Sequence, residues 1–344
     1  MDRLPAASSA GGHAPLGIRA NPMLGSYAAT VCAIVHDEMF FLPAFLDHYR
    51  RLGADRFIIL DDCSTDGTTD FLAAQPDVMV VGSGIRYFAQ VSYPSETLAL
   101  IRETRAVRLW RDQMLDQFCT GRWAVMVDPD EFLALPVDLP TFFASLAAEG
   151  AEAAWGAMID MYPERVGDIL GKDAARFHLE DAWYFDAKPH LDPRQLLPQT
   201  PPVPRTVYPG SVARLFATWG VLPQGTLARR IRRRLSGYRY QGASPIHKTP
   251  MVFWRPGNWF LNCHVTSKPV APRVVPIMHF KFTADLGRKI DYALATGSYN
   301  QGSRSYRLYA SLIERMRARD AAFLAGVSRH YRDAHDFTEA GIAR

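Results

Sequence analysis

Apolar runs that stop abruptly at acidic residues recur along this chain. Ala28–Val35, AATVCAIV, is the first, followed at once by His36, Asp37 and Glu38. Phe57–Leu60 runs into Asp61 and Asp62, and Trp123–Val127 runs into Asp128, Pro129 and Asp130. Short apolar runs bounded by turns read as buried strands of a parallel sheet. Between them the period changes. Leu42, Phe45, Leu46 and Tyr49 fall on one helical face, with Asp37 placed to cap the start and Gly53 to stop the end. Strand, acidic turn, helix, strand is a βαβ unit. A short helix from Thr68 to Ala74, a strand at Val78–Val81 and a long helical pattern from Ser95 to about Gly121 continue the alternation. Residues 152–162 form another apolar run, containing Asp160 near its end, and 187–225 are Pro-rich with little periodicity. Three β-type runs follow, Met251–Arg255, Trp259–Thr266 and Val274–Phe282. From Ser305 to about Asp333 the chain reads as helix, with Leu308, Leu312, Ile313 and Met316 on its apolar side. The pattern predicts an α/β fold: a mainly parallel sheet flanked by helices over 28–295, a flexible segment over 1–27 and a C-terminal helical extension over 296–344.

The acidic strand ends are where chemistry is expected, because ligands of open α/β sheets sit beyond the carboxyl ends of the strands. Asp61 and Asp62 are adjacent on an extended chain and point in different directions. Asp128 and Asp130 are two apart and share a side. Such a pair can hold a hard divalent cation, which takes oxygen ligands and substrate phosphates. Asp160 is a candidate general base, or a strand-end carboxylate that fixes a turn.

Two of these stretches carry a resemblance. Asp61 to Thr68, DDCSTDGT, resembles the nucleotide-sugar-binding segment of family 2 glycosyltransferases. DPDEF, from Asp128 to Phe132, resembles the DxD signature of GT-A glycosyltransferases. The similarity extends over about residues 28–295. It implies a GT-A (Rossmann-like) fold and a metal-dependent, hexosyltransferase-type enzyme. Such an enzyme moves a sugar from a nucleoside-diphosphate sugar to an acceptor hydroxyl on a saccharide or glycolipid. Inversion at the anomeric carbon and a place in bacterial surface polysaccharide or glycoconjugate synthesis are implied with it. The resemblance assigns Glu38, Asp61, Asp62 and Asp128 to the nucleotide, and Asp128 and Asp130 to Mn2+ or Mg2+. Glu38 stands in Asp37-Glu38 where the family commonly has Asn-Glu. Family 2 enzymes often carry their base on a later acidic pair, which here is Glu180-Asp181, so Asp181 joins Asp160 as a catalytic candidate. A C-terminal His completes the metal site in several GT-A families, and His264 and His279 are the candidates. The setting of His264 resembles a Gly-His-Val strand end that supplies a ligand in some GT-A enzymes, which favours His264 for the metal and His279 for the diphosphate. The run HFKFTADLGRKIDYALATG is similar to an HYxxKS…K…G segment of bacterial family 2-like enzymes, although Phe282-Thr283 departs from its Lys-Ser. It implies that Lys281 and Lys289 neutralise the diphosphate. A nucleotidyltransferase and a non-catalytic sugar- or nucleotide-binding module on the same scaffold are the alternatives. A haloacid-dehalogenase-type phosphatase also ends a strand in DxD, but it wants Thr or Val where Phe132 stands.

Composition narrows the rest. Of the 344 residues 48% are hydrophobic and 22% charged, which is the balance of a globular chain. Basic residues outnumber acidic ones only 39 to 35, which does not call for nucleic acid. The charge is uneven, however. Six arginines crowd 228–240, and seven lie between Arg304 and Arg332. Each run is a solvated face or a peripheral contact with an anionic membrane surface. Four scattered cysteines without a CxxC pair suit a reducing cytoplasm. The N-terminal stretch lacks a signal peptide's apolar core, and no apolar run approaches the ~20 residues of a membrane span. The expected location is therefore cytoplasmic, with the inner face of the membrane as the peripheral variant.

Overall fold

A computed structural model of the chain describes residues 14–23, 25–92, 103–170, 175–193, 203–221, 245–262, 265–266, 270–298 and 300–343. Its centre is a nine-stranded sheet. The strands are β1 (Gly17–Ala20), β2 (Thr30–Val35), β3 (Arg56–Asp61), β4 (Val78–Gly82), β5 (Arg122–Met126), β6 (Glu131–Leu133), β7 (Ala153–Asp160), β8 (His247–Trp254) and β9 (Val270–His279). Their spatial order is β1-β4-β3-β2-β5-β8-β7-β9-β6. β2, β3, β4, β5, β7 and β9 run in one direction, while β1, β6 and β8 run against it. This is an α/β fold with a mixed, mainly parallel sheet flanked by helices, compatible with a Rossmann-like fold.

Both faces of the sheet are buried, and the alternation along β3 shows how. Phe57 and Ile59 pack on one side with Phe45, Leu46 and Tyr49 of helix α1 (Leu42–Arg51). Ile58 and Leu60 pack on the other with Leu109, Trp110, Met114 and Leu115 of helix α3 (Ala106–Phe118). Side chains alternate with period two, so a strand covered on both faces must be apolar throughout. Each such side chain, once fully buried, contributes about 1.5–3 kcal/mol. Helix α1 is also pinned by polar contacts. His48 Nε2 donates to the Leu133 carbonyl at 2.9 Å, and the Tyr49 hydroxyl donates to the Glu131 carbonyl at 3.0 Å. Burial pushes the His48 imidazole down to about 4, so it stays neutral in this role. These bonds hold β6, and with it the Asp128–Asp130 turn, against the βαβ unit.

Several elements differ from the expectation. The segment expected to be flexible up to residue 27 supplies β1, which pairs antiparallel with β4 and carries the adjacent, buried Leu16. Of the helical pattern expected from Ser95, residues 95–102 lie outside the described residues. Glu103–Arg105 is a strand paired with Gln90–Ser92, and α3 starts only at Ala106. Asp37 does not cap α1, which begins after Phe41 without a side-chain cap. Its backbone is left-handed (φ 54), and its Oδ1 accepts the Thr65 N–H at 2.6 Å. The carboxylate joins two loops instead of starting a helix.

The C-terminal extension is stitched into the domain. Its helix spans Asn300–Arg317 and not 305–333. Tyr306, Tyr309, Leu312 and Met316 pack inward on Phe216, Phe282 and Phe323. Beyond it, Ser328–His330 pairs with Tyr184–Asp186, and Phe337 enters the main core. The apolar side proposed for a membrane is thus engaged in the protein's own packing. The arginine run at 228–240 lies outside the described residues. Among the described residues no helix is long and apolar enough to cross a membrane.

Candidate active site

Strand direction brings the acidic turns together. Asp61 ends β3, Asp160 ends β7 and His279 ends β9, while His36–Glu38 follow β2 and Asp128–Asp130 follow β5. All five strands point the same way, so all five ends share one edge of the sheet. That edge holds a cleft of about 130 Å³ whose walls include Glu38, Asp62, Asp128, Asp130, Lys281 and Lys289, while Asp61, Asp160 and His279 do not line it. Tyr87, Phe88, Tyr292 and Tyr306 add an aromatic side.

The first acidic pair is divided in its duties. Asp61 is 1% exposed and turned into its own loop. Its Oδ1 accepts from Ser64 N and Oγ at 3.0 and 2.6 Å, and its Oδ2 accepts from Thr69 Oγ1 at 2.5 Å. Asp66 accepts from Met39 N, and Thr68 Oγ1 accepts from Glu38 N, which ties this loop to the one after β2. Much of the Asp-Asp-x-Ser-x-Asp-Gly-Thr run thus builds the wall. Asp62 faces the cleft. Burial raises its pKa, opposed by the Tyr87 N–H at 3.1 Å from Oδ2 and by Arg86, whose Nε is 3.1 Å from Oδ1.

The second acidic pair also splits, because each member meets its own cations. Asp128 keeps 41% of its side chain exposed and lies 3.3 Å from Arg111 Nη2 and 3.2 Å from Lys248 Nζ. Crowding by the protein favours its neutral form, but Lys248 and Arg111 outweigh it and hold the carboxyl down at about 2. Lys248 also contacts Glu131, whose Oε2 accepts the Asp128 N–H at 2.9 Å and so closes the turn. Asp130 is buried, with Lys281 Nζ 2.7 Å from its Oδ2. Burial again opposes charge, and Lys281, Lys289 and His279 overcome it, leaving Asp130 far below the ordinary carboxylate range. Asp130 in turn holds Lys281 well above its usual value against burial. A carboxylate with a depressed pKa contributes stability that is present above its unfolded value of ~3.9 and is lost as the pH falls through the folded value. Replacing Asp128 by Asn is therefore expected to flatten the decline of melting temperature between about pH 4 and about pH 2. An unaltered acid limb would show that Asp128 is not charged by these partners.

Glu38 and Lys289 form a further pair, with Nζ 2.9 and 3.0 Å from the two carboxylate oxygens. Burial is the larger influence on Glu38 and pushes its carboxyl up to about 7, although Lys289 pulls the other way.

Asp160 and His279 stand side by side in the parallel register of β7 and β9. The His279 Nδ1 lies 2.9 Å from Asp160 Oδ1. A carboxylate only accepts, so Nδ1 carries a hydrogen, and Nε2 presents a lone pair when the ring is neutral. That Nε2 is 3.9 Å from Asp130 Oδ2. A histidine oriented by a carboxylate, with its free nitrogen beside an ionised Asp, is the usual preparation of a metal-binding imidazole. The donor set fits a hard divalent cation. Among the described residues no group of three or more His, Cys, Asp or Glu stands ready to cage one. Phosphate and water oxygens would have to complete the shell, as they do for cations that bind with a nucleotide. The other Asp160 oxygen, Oδ2, accepts from Val212 N at 3.2 Å. His264, the other histidine expected here, lies outside the described residues.

Asp181, the second candidate base, is elsewhere. It lines a larger cavity of about 620 Å³ that is bounded also by Phe40 and Thr283.

Lys248 and Arg111 were not visible as site residues in the sequence. Neither sits in a motif, and β8 carries Lys248 between β5 and β7 from far along the chain. A lysine inside an apolar strand was the available signal, legible only once its neighbours are known. No protein-family model matches the chain, and no curated protein matches it either.

Proposed function

We propose that this protein is a GT-A-type glycosyltransferase that takes a nucleoside-diphosphate sugar as donor, with an acceptor hydroxyl on a saccharide or glycolipid. The observation that carries the reading is the convergence of Asp62, Asp128, Asp130, Lys281 and Lys289 on one aromatic-sided cleft at the carboxyl edge of the sheet. A nucleotide needs this mixture: ring faces and a carboxylate for the base and ribose, cations for the diphosphate.

In the transfer, the acceptor oxygen bonds to the anomeric carbon as the bond from that carbon to the diphosphate oxygen breaks. The electron pair leaves with the diphosphate, and the acceptor proton passes to a carboxylate. Lys281 and Lys289 are placed to meet the growing negative charge. A divalent cation held by Asp130 and His279, with Asp128 adjacent, would supply Lewis-acid stabilisation of the leaving group. Asp160, which contacts His279 and Val212 N, and Asp181, which lines the neighbouring cavity, are the two carboxylates proposed for that role.

Thermal shift with nucleoside diphosphates, with and without manganese, tests the reading. A ligand that binds the native state raises its melting temperature by mass action. A rise that manganese enlarges is expected. No rise with any nucleoside diphosphate would remove the proposal. Release of inorganic diphosphate from a nucleoside triphosphate would redirect it to nucleotidyl transfer. Asp62→Ala should weaken nucleoside-diphosphate binding by roughly tenfold, the worth of one hydrogen bond to a charged group. Calorimetry would show this, and unchanged affinity would take Asp62 out of the site. Asp160→Asn should weaken manganese binding in the presence of the nucleotide by about 10- to 100-fold, the usual cost of losing the group that orients a ligating His. Equal manganese affinity in variant and parent would mean that Asp160 does not orient a ligand.

A further inference from the structure

Two thiols meet in the half of the core that α3 closes. Side chains alternate along β2: Val31, Ala33 and Val35 turn to the α1 side, and Cys32 turns to the α3 side. Cys119 directly follows the last residue of α3, where its N–H donates to the Leu115 carbonyl at 2.9 Å. The packing of α3 on β2 brings the two sulfurs to 3.8 Å, and both side chains are fully buried. Neither cysteine lines the cleft.

A buried cation stands beside this pair. Arg56 is fixed by its Nε, which donates to Thr30 Oγ1 at 3.1 Å, and by its Nη2, which donates to the Phe118 carbonyl at 2.8 Å. The hydrogen bond from Cys32 pulls the Cys119 thiol below its usual range against burial, and the Arg56 guanidinium adds to the pull. The thiolate is the nucleophile in cysteine chemistry, and a neighbouring cation enlarges its share. Cys32 is pushed the other way, by the same hydrogen bond and by burial. One sulfur is thus prepared to attack while the other waits as a thiol in contact with it. Cys119 also sits next to the surface, since Thr120 and Gly121 after it are exposed. Helix ends open locally at little cost, and hydrogen peroxide is small enough to use such an opening.

We propose that Cys32 and Cys119 form a peroxide-reactive pair that closes to a reversible disulfide. The Cys119 thiolate attacks one oxygen of hydrogen peroxide, the O–O bond breaks, and the departing hydroxide takes up a proton to leave as water. Cys119 is then a sulfenic acid. The Cys32 sulfur attacks the Cys119 sulfur, the S–O bond breaks, and the Cys32 proton leaves with the hydroxyl as a second water. Two thiols have lost two electrons and two protons, and one peroxide has been reduced to two waters. The sulfurs close from 3.8 Å to about 2.0 Å. The new bond staples β2 to α3. Both elements support the Asp128 turn, because the Cys32 carbonyl accepts the Val127 N–H at 3.2 Å and α3 carries Arg111, 3.3 Å from Asp128.

The test treats the folded full chain with hydrogen peroxide at neutral pH, blocks remaining thiols by alkylation and maps peptides by mass spectrometry without reductant. A peptide linked through Cys32 and Cys119 is expected, and dithiothreitol should remove it. The oxidised chain should melt higher by roughly 5 °C, the effect of a cross-link between residues 87 apart in a chain of this size. In Cys32→Ala the second thiol is gone, so dimedone should trap a sulfenic acid on Cys119. Cys119→Ala should give no such adduct on Cys32. The map of the parent chain needs no variant, so it decides the matter even where a variant does not fold. No linked peptide, or a link to Cys63 or Cys263 in its place, would overturn the pair. A dimedone adduct on Cys32 in Cys119→Ala would overturn the assignment of the attacking sulfur. An unchanged or lower melting temperature after linkage would overturn the staple.

Discussion

Replacing Asp130 by Asn is expected to lower sugar transfer by at least about a hundredfold, more than the 10- to 100-fold typical of losing a group that merely orients a metal ligand. Burial opposes the charge of Asp130, yet Lys281, Lys289 and His279 hold its carboxyl well below the ordinary carboxylate range. Asn keeps the shape and one oxygen acceptor. It loses the charge that a hard cation requires, and it leaves Lys281, with only 20% of its side chain exposed, without its carboxylate. The variant should therefore also melt lower. Turnover is to be measured at saturating donor over a manganese titration, at a temperature where the variant is folded. Retention of more than a tenth of parental turnover at limiting manganese would falsify a metal role for Asp130.

The second large effect is on stability. Asp186→Ala should cost about 3–5 kcal/mol, the range for breaking a buried ion pair by removing one partner. Asp186 has no exposed side-chain surface, and Arg214 grips it with two nitrogens, each at 2.8 Å. The Tyr162 hydroxyl donates to it at 2.6 Å, and Tyr208 donates as well. Burial favours its neutral form, yet Arg214 and the tyrosines hold its pKa below the usual carboxylate range. Alanine would take this acceptor from Arg214 and Tyr208 in a poorly hydrated place, while Tyr162 keeps only Ser328 Oγ at 2.7 Å. Urea unfolding reads the loss as a lowered midpoint at an unchanged slope. Because Asp186 ends the strand that pairs with Ser328–His330, hydrogen exchange at 328–330 should quicken as well. A loss below about 1 kcal/mol, the scale of a surface pair, would mean the network is dispensable.

How far the chain could be read before folding follows from the range of each interaction. The βαβ unit, the strand at Val78 and the apolar runs ending at Asp62, Asp128 and Asp160 were legible because strand and helix periods are local. Chain direction in a parallel sheet then places their ends on one edge. Within the helix expected from Ser95, Glu103–Arg105 was misjudged, because its spacing suits a helix whereas pairing with Gln90–Ser92 claims it as a strand. Asp61 looked equivalent to Asp62, and their division depends on Ser64 and Thr69 turning back onto one of them. The cation partners of the DxD turn were further from reach. Lys248 arrives on a strand inserted antiparallel between β5 and β7, in pairings across roughly ninety to a hundred and thirty residues that no local pattern encodes. The sequence by itself determined the class of fold and which edge of the sheet is acidic, since both follow from side-chain period and strand polarity. Only the tertiary structure decided which carboxylates face the cleft, which cations charge them, and that Asp160 orients His279, because those depend on the register of strands far apart in the chain.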